Sequence, residues 1–215
     1  MAPPLAGKGT QGVMLAESLN IPHISVGAIL RRRADFDDAA GKILDTIMSQ
    51  GKLVDTRTTI KLIENELHRQ DIDNGFILDG FPRSHDQAIA YRELMQKMRI
   101  PSIIVIHIGL SYEQAEERIK SRFTCLGCDA TYSIVEPSMR PKQDGICDNC
   151  DEQLVQRSDD NLDALAKRFE LFEKETMPVL AYFERIGMPV INVNGYQSRD
   201  EIFNELIRGL NEVKS

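Results

Sequence analysis

Gly75-Phe76-Ile77-Leu78-Asp79-Gly80-Phe81-Pro82-Arg83 is the stretch on which the fold turns. Its first half is a short apolar run that ends in a carboxylate, the pattern of a buried strand with a polar group at its carboxyl end. A turn with glycine and proline follows, and it carries an arginine. Working outward, Ser102-Ile103-Ile104-Val105-Ile106-His107-Ile108 is β-branched and nearly continuous, as a strand covered on both faces should be. Met188-Pro189-Val190-Ile191-Asn192-Val193 reads as a third strand, with its proline at the edge. Helical patterns lie between and around them, over Thr56 to Arg69, Tyr112 to Arg122 and Leu162 to Arg185. Strands alternating with helices predict parallel pairing with crossover helices, hence an α/β layered fold.

Two stretches break this rhythm. Ser25 to Val54 is helical and carries Arg31, Arg32 and Arg33. Phe123 to Arg157 holds Pro137, Pro141, Gly145 and all four cysteines, and is too small to build its own core without a staple. The predicted organisation is therefore a nucleotide-binding core over 1–24, 55–121 and 159–215, with inserts at 25–54 and 122–158.

Bulk properties narrow the class. The 215 residues are 42% hydrophobic and 27% charged, ordinary for a globular protein. The net charge of −7 argues against a broad nucleic-acid surface, which needs a basic face. Basic residues gathered at a site would then serve a local anionic ligand. No apolar run approaches the roughly 20 residues of a membrane helix. The start, Met1-Ala2-Pro3-Pro4, lacks a signal pattern, so a cytoplasmic protein is expected.

Ala6-Gly7-Lys8-Gly9-Thr10-Gln11 opens the first helical stretch. Glycines let backbone N–H groups approach an anion, and the helix N-terminus and Lys8 add positive charge. The full phosphate-loop pattern wants a glycine where Ala2 stands, and Leu5 occupies a position often held by another. Only Met1 precedes the loop, so no strand is read there.

Cys125-x₂-Cys128 and Cys147-x₂-Cys150 are separated by 18 residues. Two such knuckles fit a tetrahedral zinc site, and an all-cysteine set fits a closed, structural one. In a reducing compartment this reading is favoured over disulfides. His23, His68, His85 and His107 show no ligand spacing, and His107 reads as a satisfied strand histidine.

Ile24-Ser25-Val26-Gly27-Ala28-Ile29-Leu30-Arg31, Gly51-Lys52-Leu53-Val54, Asp79-Gly80-Phe81-Pro82-Arg83 with Gln87, and Gln156-Arg157-Ser158-Asp159-Asp160 resemble, in order, the segments of long-lid adenylate kinases. Arg118 and Arg122 stand where that family's lid begins, Tyr132 lies within the lid, and Arg168 follows it. The resemblance covers essentially the whole chain. It implies a P-loop NTPase-like parallel sheet flanked by helices, a helical monophosphate-binding insert and a zinc-stapled lid. It implies a reversible, Mg²⁺-dependent transfer from ATP to AMP by a monomer that binds neither nucleic acid nor membrane. Some bacterial-type members carry a four-cysteine lid.

Phosphoryl transfer needs positioning and charge neutralisation more than covalent help. By resemblance, ATP would be held by Ala6, Gly7, Lys8, Gly9 and Thr10, with Arg118, Arg122, Thr131, Tyr132 and Gln197 around it. AMP would be held by Val26, Arg31, Lys52, Leu53, Val54 and Gly80, with Arg83 and Gln87. Arg122, Arg157 and Arg168 would converge on the transferring group, Arg157 and Arg168 also serving AMP. Asp79 would orient water on magnesium, and Asp159 and Asp160 would pair with lid or core donors. Arg32 and Arg33 read as solvated charges.

The chain departs from the family pattern at several points. The family places a central strand before the phosphate loop. Its loss should leave two neighbours with unpaired edges and a gap in the core, and a truncated start is the expectation. Val26 stands where a hydroxyl usually contacts the acceptor, and Ala28 where an aspartate usually joins the magnesium network. These changes keep two alternatives open: another monophosphate as acceptor, or a nucleotide-binding pseudokinase.

Overall fold

The computed structural model describes residues 1–50, 52–128, 130–156 and 160–214. Gly7 (φ 85°) caps α1 (Lys8–Leu19). Next come β1 (His23–Ser25), α2 (Val26–Ala34), α3 (Ala39–Ser49), α4 (Thr56–Leu67) and β2 (Ile77–Asp79). Then follow α5 (His85–Lys97), β3 (Val105–Gly109) and α6 (Tyr112–Ile119). The cysteine insert contains β4 (Arg122–Cys125), β5 (Thr131–Ser133) and β6 (Leu154–Val155). The chain closes with α7 (Leu162–Leu171), a π turn (Phe172–Thr176), α8 (Met177–Arg185), β7 (Val190–Asn194) and α9 (Arg199–Lys214).

Local chemistry sets the helix starts. Ser25, Asp38, Asp55, Ser84 and Asn161 each accept a hydrogen bond from a backbone N–H of the first turn they precede. Ser111 and Gln114 form a reciprocal capping box on α6. These caps satisfy amides that the helix leaves unpaired.

The α/β expectation holds, with parallel pairing in the core. β1 pairs with β2 (Ile24 opposite Leu78), and β3 pairs with β7 (Ile106 opposite Ile191). Among the described residues β2 and β3 do not pair with each other. Between them lies a cavity of about 380 Å³, lined by Ile77, Ile104, Ile106, Phe183 and Leu206 among others. Met1 reaches into the space and bonds to β3 through its main chain. Its α-amino group donates to the Ile106 carbonyl, and its carbonyl accepts from Ile108 N–H at 3.1 Å. Burial lowers that amine to a pKa of about 6, against the opposing pull of Asp79. The gap expected between neighbouring strands is present among the described residues.

Several element limits differ from the sequence reading. The third predicted strand runs Val190–Asn194, and β3 starts at Val105, where pairing with β7 begins. The helix predicted to reach Arg122 stops at Ile119, and Arg122 opens β4, opposite Ser133. The helix predicted over Thr56 to Arg69 ends at Leu67. The long helix predicted from Leu162 is interrupted by the π turn.

Apolar side chains pack in separate clusters. One joins Ile24, Ile63, Leu67 and Phe81 below α4 and α5, and another joins Leu15, Ile108, Ile191 and Leu206 between α1 and α9. The cysteine insert has its own small cluster of Cys125, Tyr132, Cys147 and Leu154. No helix among the described residues is long and apolar enough to cross a membrane.

Candidate functional site

β2 delivers Asp79 to its carboxyl end, directly beside the turn that starts α1. The approach is close: a Cβ on Gly9 would sit 3.6 Å from Asp79 Oδ2, and one on Gly80 would sit 4.0 Å from Lys8 Cε. Burial acts to raise the Asp79 carboxyl, but His23 and Lys8 beside it prevail and hold it below the ordinary carboxylate range. His23 Nε2 lies 3.7 Å from Asp79 Oδ2, beyond hydrogen-bond distance. Lys8 is lowered to about 8, first by burial and further by Arg83, Arg168 and Arg122, with Asp79 opposing. One lysine thus feels three guanidinium groups at once.

The loop ahead of α1 is bent through Leu5 at φ 66° and Gly7 at φ 85°. Positive φ is cheap for glycine and costs a leucine about 1–2 kcal/mol. Arg118 bridges this loop to the segment after β7, donating to the carbonyls of Leu5 (3.2 Å) and Gly195 (2.7 Å). Arg122 is held by Asp160 through its Nε at 2.9 Å and through a second contact from Nη2. Asp160 is buried, so the pairing expected for this carboxylate has Arg122 as its partner.

Arg83 is anchored by its own backbone. Its N–H donates to Gln87 Oε1 at 2.9 Å, its Nε donates to the Gly80 carbonyl at 2.7 Å, and its carbonyl accepts from Thr176 Oγ1 at 2.9 Å. The Phe81–Pro82 peptide bond is cis. Gln87 also donates to the Val54 carbonyl at 3.4 Å, so the amide assigned to the acceptor base is engaged within the protein.

Two pockets meet at Lys8. One, of about 460 Å³, lies between the Ala6–Thr10 loop, the start of the cysteine insert and the segment after β7. Arg118, Arg122, Thr131, Tyr132 and Gln197 all line it. The other, of about 210 Å³, lies between α2, the Lys52–Val54 segment and the Gly80–Gln87 turn. Val26, Arg31, Leu53, Arg83 and Arg168 line it. The residues named from the sequence for ATP line the larger pocket and those named for AMP line the smaller, apart from Arg157, which lies outside the described residues along with Ser158, Asp159 and Gly51. Sequence reasoning missed His23 as a neighbour of Asp79, and Thr176. Neither has a spacing signal, because each meets its partner only through tertiary contacts.

A family model described as adenylate kinase matches residues 1–188. The chain belongs to the adenylate kinase family. An adenylate kinase of Caldanaerobacter subterraneus is 38% identical over 210 residues, covering 98% of this chain and 94% of the relative. One from Clostridium botulinum (strain Loch Maree) is 37% identical and covers 96% and 94%. One from Clostridioides difficile is 35% identical over 215 residues, covering 100% and 98%.

The cysteine cluster suits a metal ion. The four Sγ atoms of Cys125, Cys128, Cys147 and Cys150 lie within 4.8 Å of one another. Cys125 and Cys150 approach to 3.3 Å, and Cys128 and Cys147 to 3.5 Å. Thiolates about 2.3 Å from a tetrahedral centre would be a little under 4 Å apart, so the two short pairs would open slightly and any longer separations close. The chemistry of the set, four soft sulfur donors in one shell, suits a thiophilic ion such as zinc or iron. Tyr132 backs the cluster: its hydroxyl lies 3.4 Å from Cys147 Sγ and accepts from Asp148 N–H at 2.8 Å. That hydroxyl pulls the Cys147 thiol below its ordinary range.

Proposed function

We propose that this chain catalyses the reversible transfer of the terminal phosphoryl group of ATP to AMP, giving two molecules of ADP. The observation that carries the reading is the pair of pockets sharing Lys8, with Arg122 on one side and Arg83 on the other. Two nucleotides bound there would bring donor and acceptor phosphates to one lysine. The backbone N–H groups of Ala6 to Thr10 would cradle the donor phosphates, with Lys8 on the β and γ groups. Arg31 and Arg83 would hold the acceptor phosphate by their planar forks. Arg122, Arg168 and Arg157 would offset negative charge as it spreads over the transferring group, a contribution of about 10³ to 10⁵ in rate in related transfers.

Magnesium bound with ATP supplies further charge neutralisation. Asp79 is suited to orient its water ligands, since Ala28 brings no carboxylate from α2. Before transfer Arg122 would exchange some of its contact with Asp160 for phosphate. Gln87 would likewise turn its amide from Val54 to the acceptor base. Closure of the 25–54 and 122–158 segments would keep water from the reacting phosphates. Zinc held by Cys125, Cys128, Cys147 and Cys150 would staple the second of these segments and take no part in transfer.

One observation favours a second acceptor. Val26 is buried against the smaller pocket and offers a methyl surface where a hydroxyl would discriminate polar edges. Coupled assays with ATP and each of AMP, CMP, UMP and GMP test both readings. AMP should give the highest kcat/KM, and Arg83→Ala should lower it at least about a hundredfold. A preference for a pyrimidine monophosphate would keep the reaction class and move the acceptor. Tight binding of a two-nucleotide inhibitor, with turnover no higher than that of Arg83→Ala, would replace the enzyme reading with a binding one.

A further inference from the structure

We infer that Thr176 is a positioning residue for the acceptor side of the site, acting through the main chain of Arg83; the inference rests on the acceptor role proposed for Arg83. Thr176 closes the π turn between α7 and α8, and only 6% of its surface is exposed. Its hydroxyl donates to the Arg83 carbonyl at 2.9 Å, across 93 residues of sequence. The other two anchors of Arg83, Gln87 Oε1 and the Gly80 carbonyl, belong to the same local turn. Thr176 therefore supplies a tie between that turn and the helix that carries Arg168.

The π turn makes this reach possible. Eight residues of regular α-helix at 100° each would place Thr176 about 80° around the axis from Arg168. A wider i→i+5 turn winds more slowly, and both residues line the same pocket. At the start of the turn Phe172 stacks on His107 of β3, with ring centroids 6.4 Å apart and planes 12° from parallel. His107 is itself fixed by Asn192 at 3.0 Å. One turn of helix is thus pinned to β3 at one end and to Arg83 at the other. The separation of the Arg83 and Arg168 guanidinium groups depends on that turn, and so does the fit to a phosphate between them.

The test uses Thr176→Val, which removes the hydroxyl at nearly constant volume, and Thr176→Ser, which keeps it. Calorimetric titration of the full-length protein with AMP, steady-state kinetics and thermal melts are read on each. Thr176→Val should weaken AMP binding and raise KM for AMP by about three- to tenfold, the scale of one hydrogen bond. KM for ATP should stay within about twofold, and Thr176→Ser should restore AMP affinity to within about twofold of the parent. In an Arg83→Ala background, adding Thr176→Val should change AMP affinity by less than about twofold. A Thr176→Val protein that melts earlier but binds AMP normally would mark the contact as merely structural and overturn the inference. So would a serine variant that behaves like valine, or an undiminished effect in the Arg83→Ala background. If Arg83→Ala alone leaves AMP affinity and turnover intact, the acceptor-site reading itself fails, and the inference fails with it.

Discussion

Gly12 faces the His23 ring across the start of α1, and this contact allows a prediction whose sign reverses with background. A Cβ added at Gly12 would lie 2.6 Å from His23 Nε2 and 2.9 Å from Cδ2. To restore an ordinary contact the ring would have to retreat by about 1 Å. His23 sits in β1, which is paired to β2, and its ring is next to the buried carboxylate of Asp79. Retreat therefore means leaving a rotamer or lifting the strand, and overpacking of this kind costs about 1–3 kcal/mol. Alanine for glycine inside a helix returns about 1 kcal/mol. The Gly12→Ala protein should lose roughly 1 kcal/mol net, or about 2–4 °C in Tm for a chain of this length. In a His23→Ala background the collision vanishes and only the helix gain remains, so the same substitution should raise Tm by a similar amount. Differential scanning calorimetry of the four proteins completes the cycle. A gain of equal size from Gly12→Ala in both backgrounds would refute the packing argument.

Three further outcomes are expected. Lys8, with its pKa lowered to about 8, carries its charge below that pH and loses it above. ATP affinity of the free protein should then fall between about pH 8 and 9.5, with proton uptake on binding in calorimetry, and Lys8→Met should remove that dependence. Leu5 at φ 66° should tolerate glycine within about 1 kcal/mol, whereas Leu5→Val should cost about 2 kcal/mol, because a β-branched residue is poorly suited to that backbone; urea titrations separate the two. Metal analysis should find about one zinc per chain, and a chelator or Cys125→Ser should strip amide-exchange protection from residues 123–155 while leaving α4, α5 and α9 protected. Unchanged exchange after metal removal would dismiss the staple.

What could be read from the sequence followed from local signals. The apolar run into Asp79, the β-branched stretch at Val105 and the knuckle spacing of the cysteines each carry their reading within a few residues. What escaped depends on contacts between distant residues. β1 is only three residues long and exists because His23 to Ser25 pair with β2. Arg122 looked helical by composition, yet pairing with Ser133 puts it in a strand. The π turn has one compositional mark, Pro178 at the start of α8, whose missing N–H interrupts the ladder of a continuous helix; its exact place shows only in the contacts of Phe172 and Thr176. At the candidate site, the residues that line the two pockets could be named because they fall in ordered motifs. The engagement of Gln87 with Val54 and of Arg122 with Asp160 was not, since both depend on how the segments close.

Arg118 ties together parts of the chain that lie far apart in sequence. Its guanidinium donates to the carbonyls of Leu5 and Gly195, contacts that span 113 and 77 residues. Closing loops of that length delays such contacts during folding, because the entropy of closure is lost before the bonds form. The wall of the larger pocket should therefore be among the last parts of the molecule to assemble.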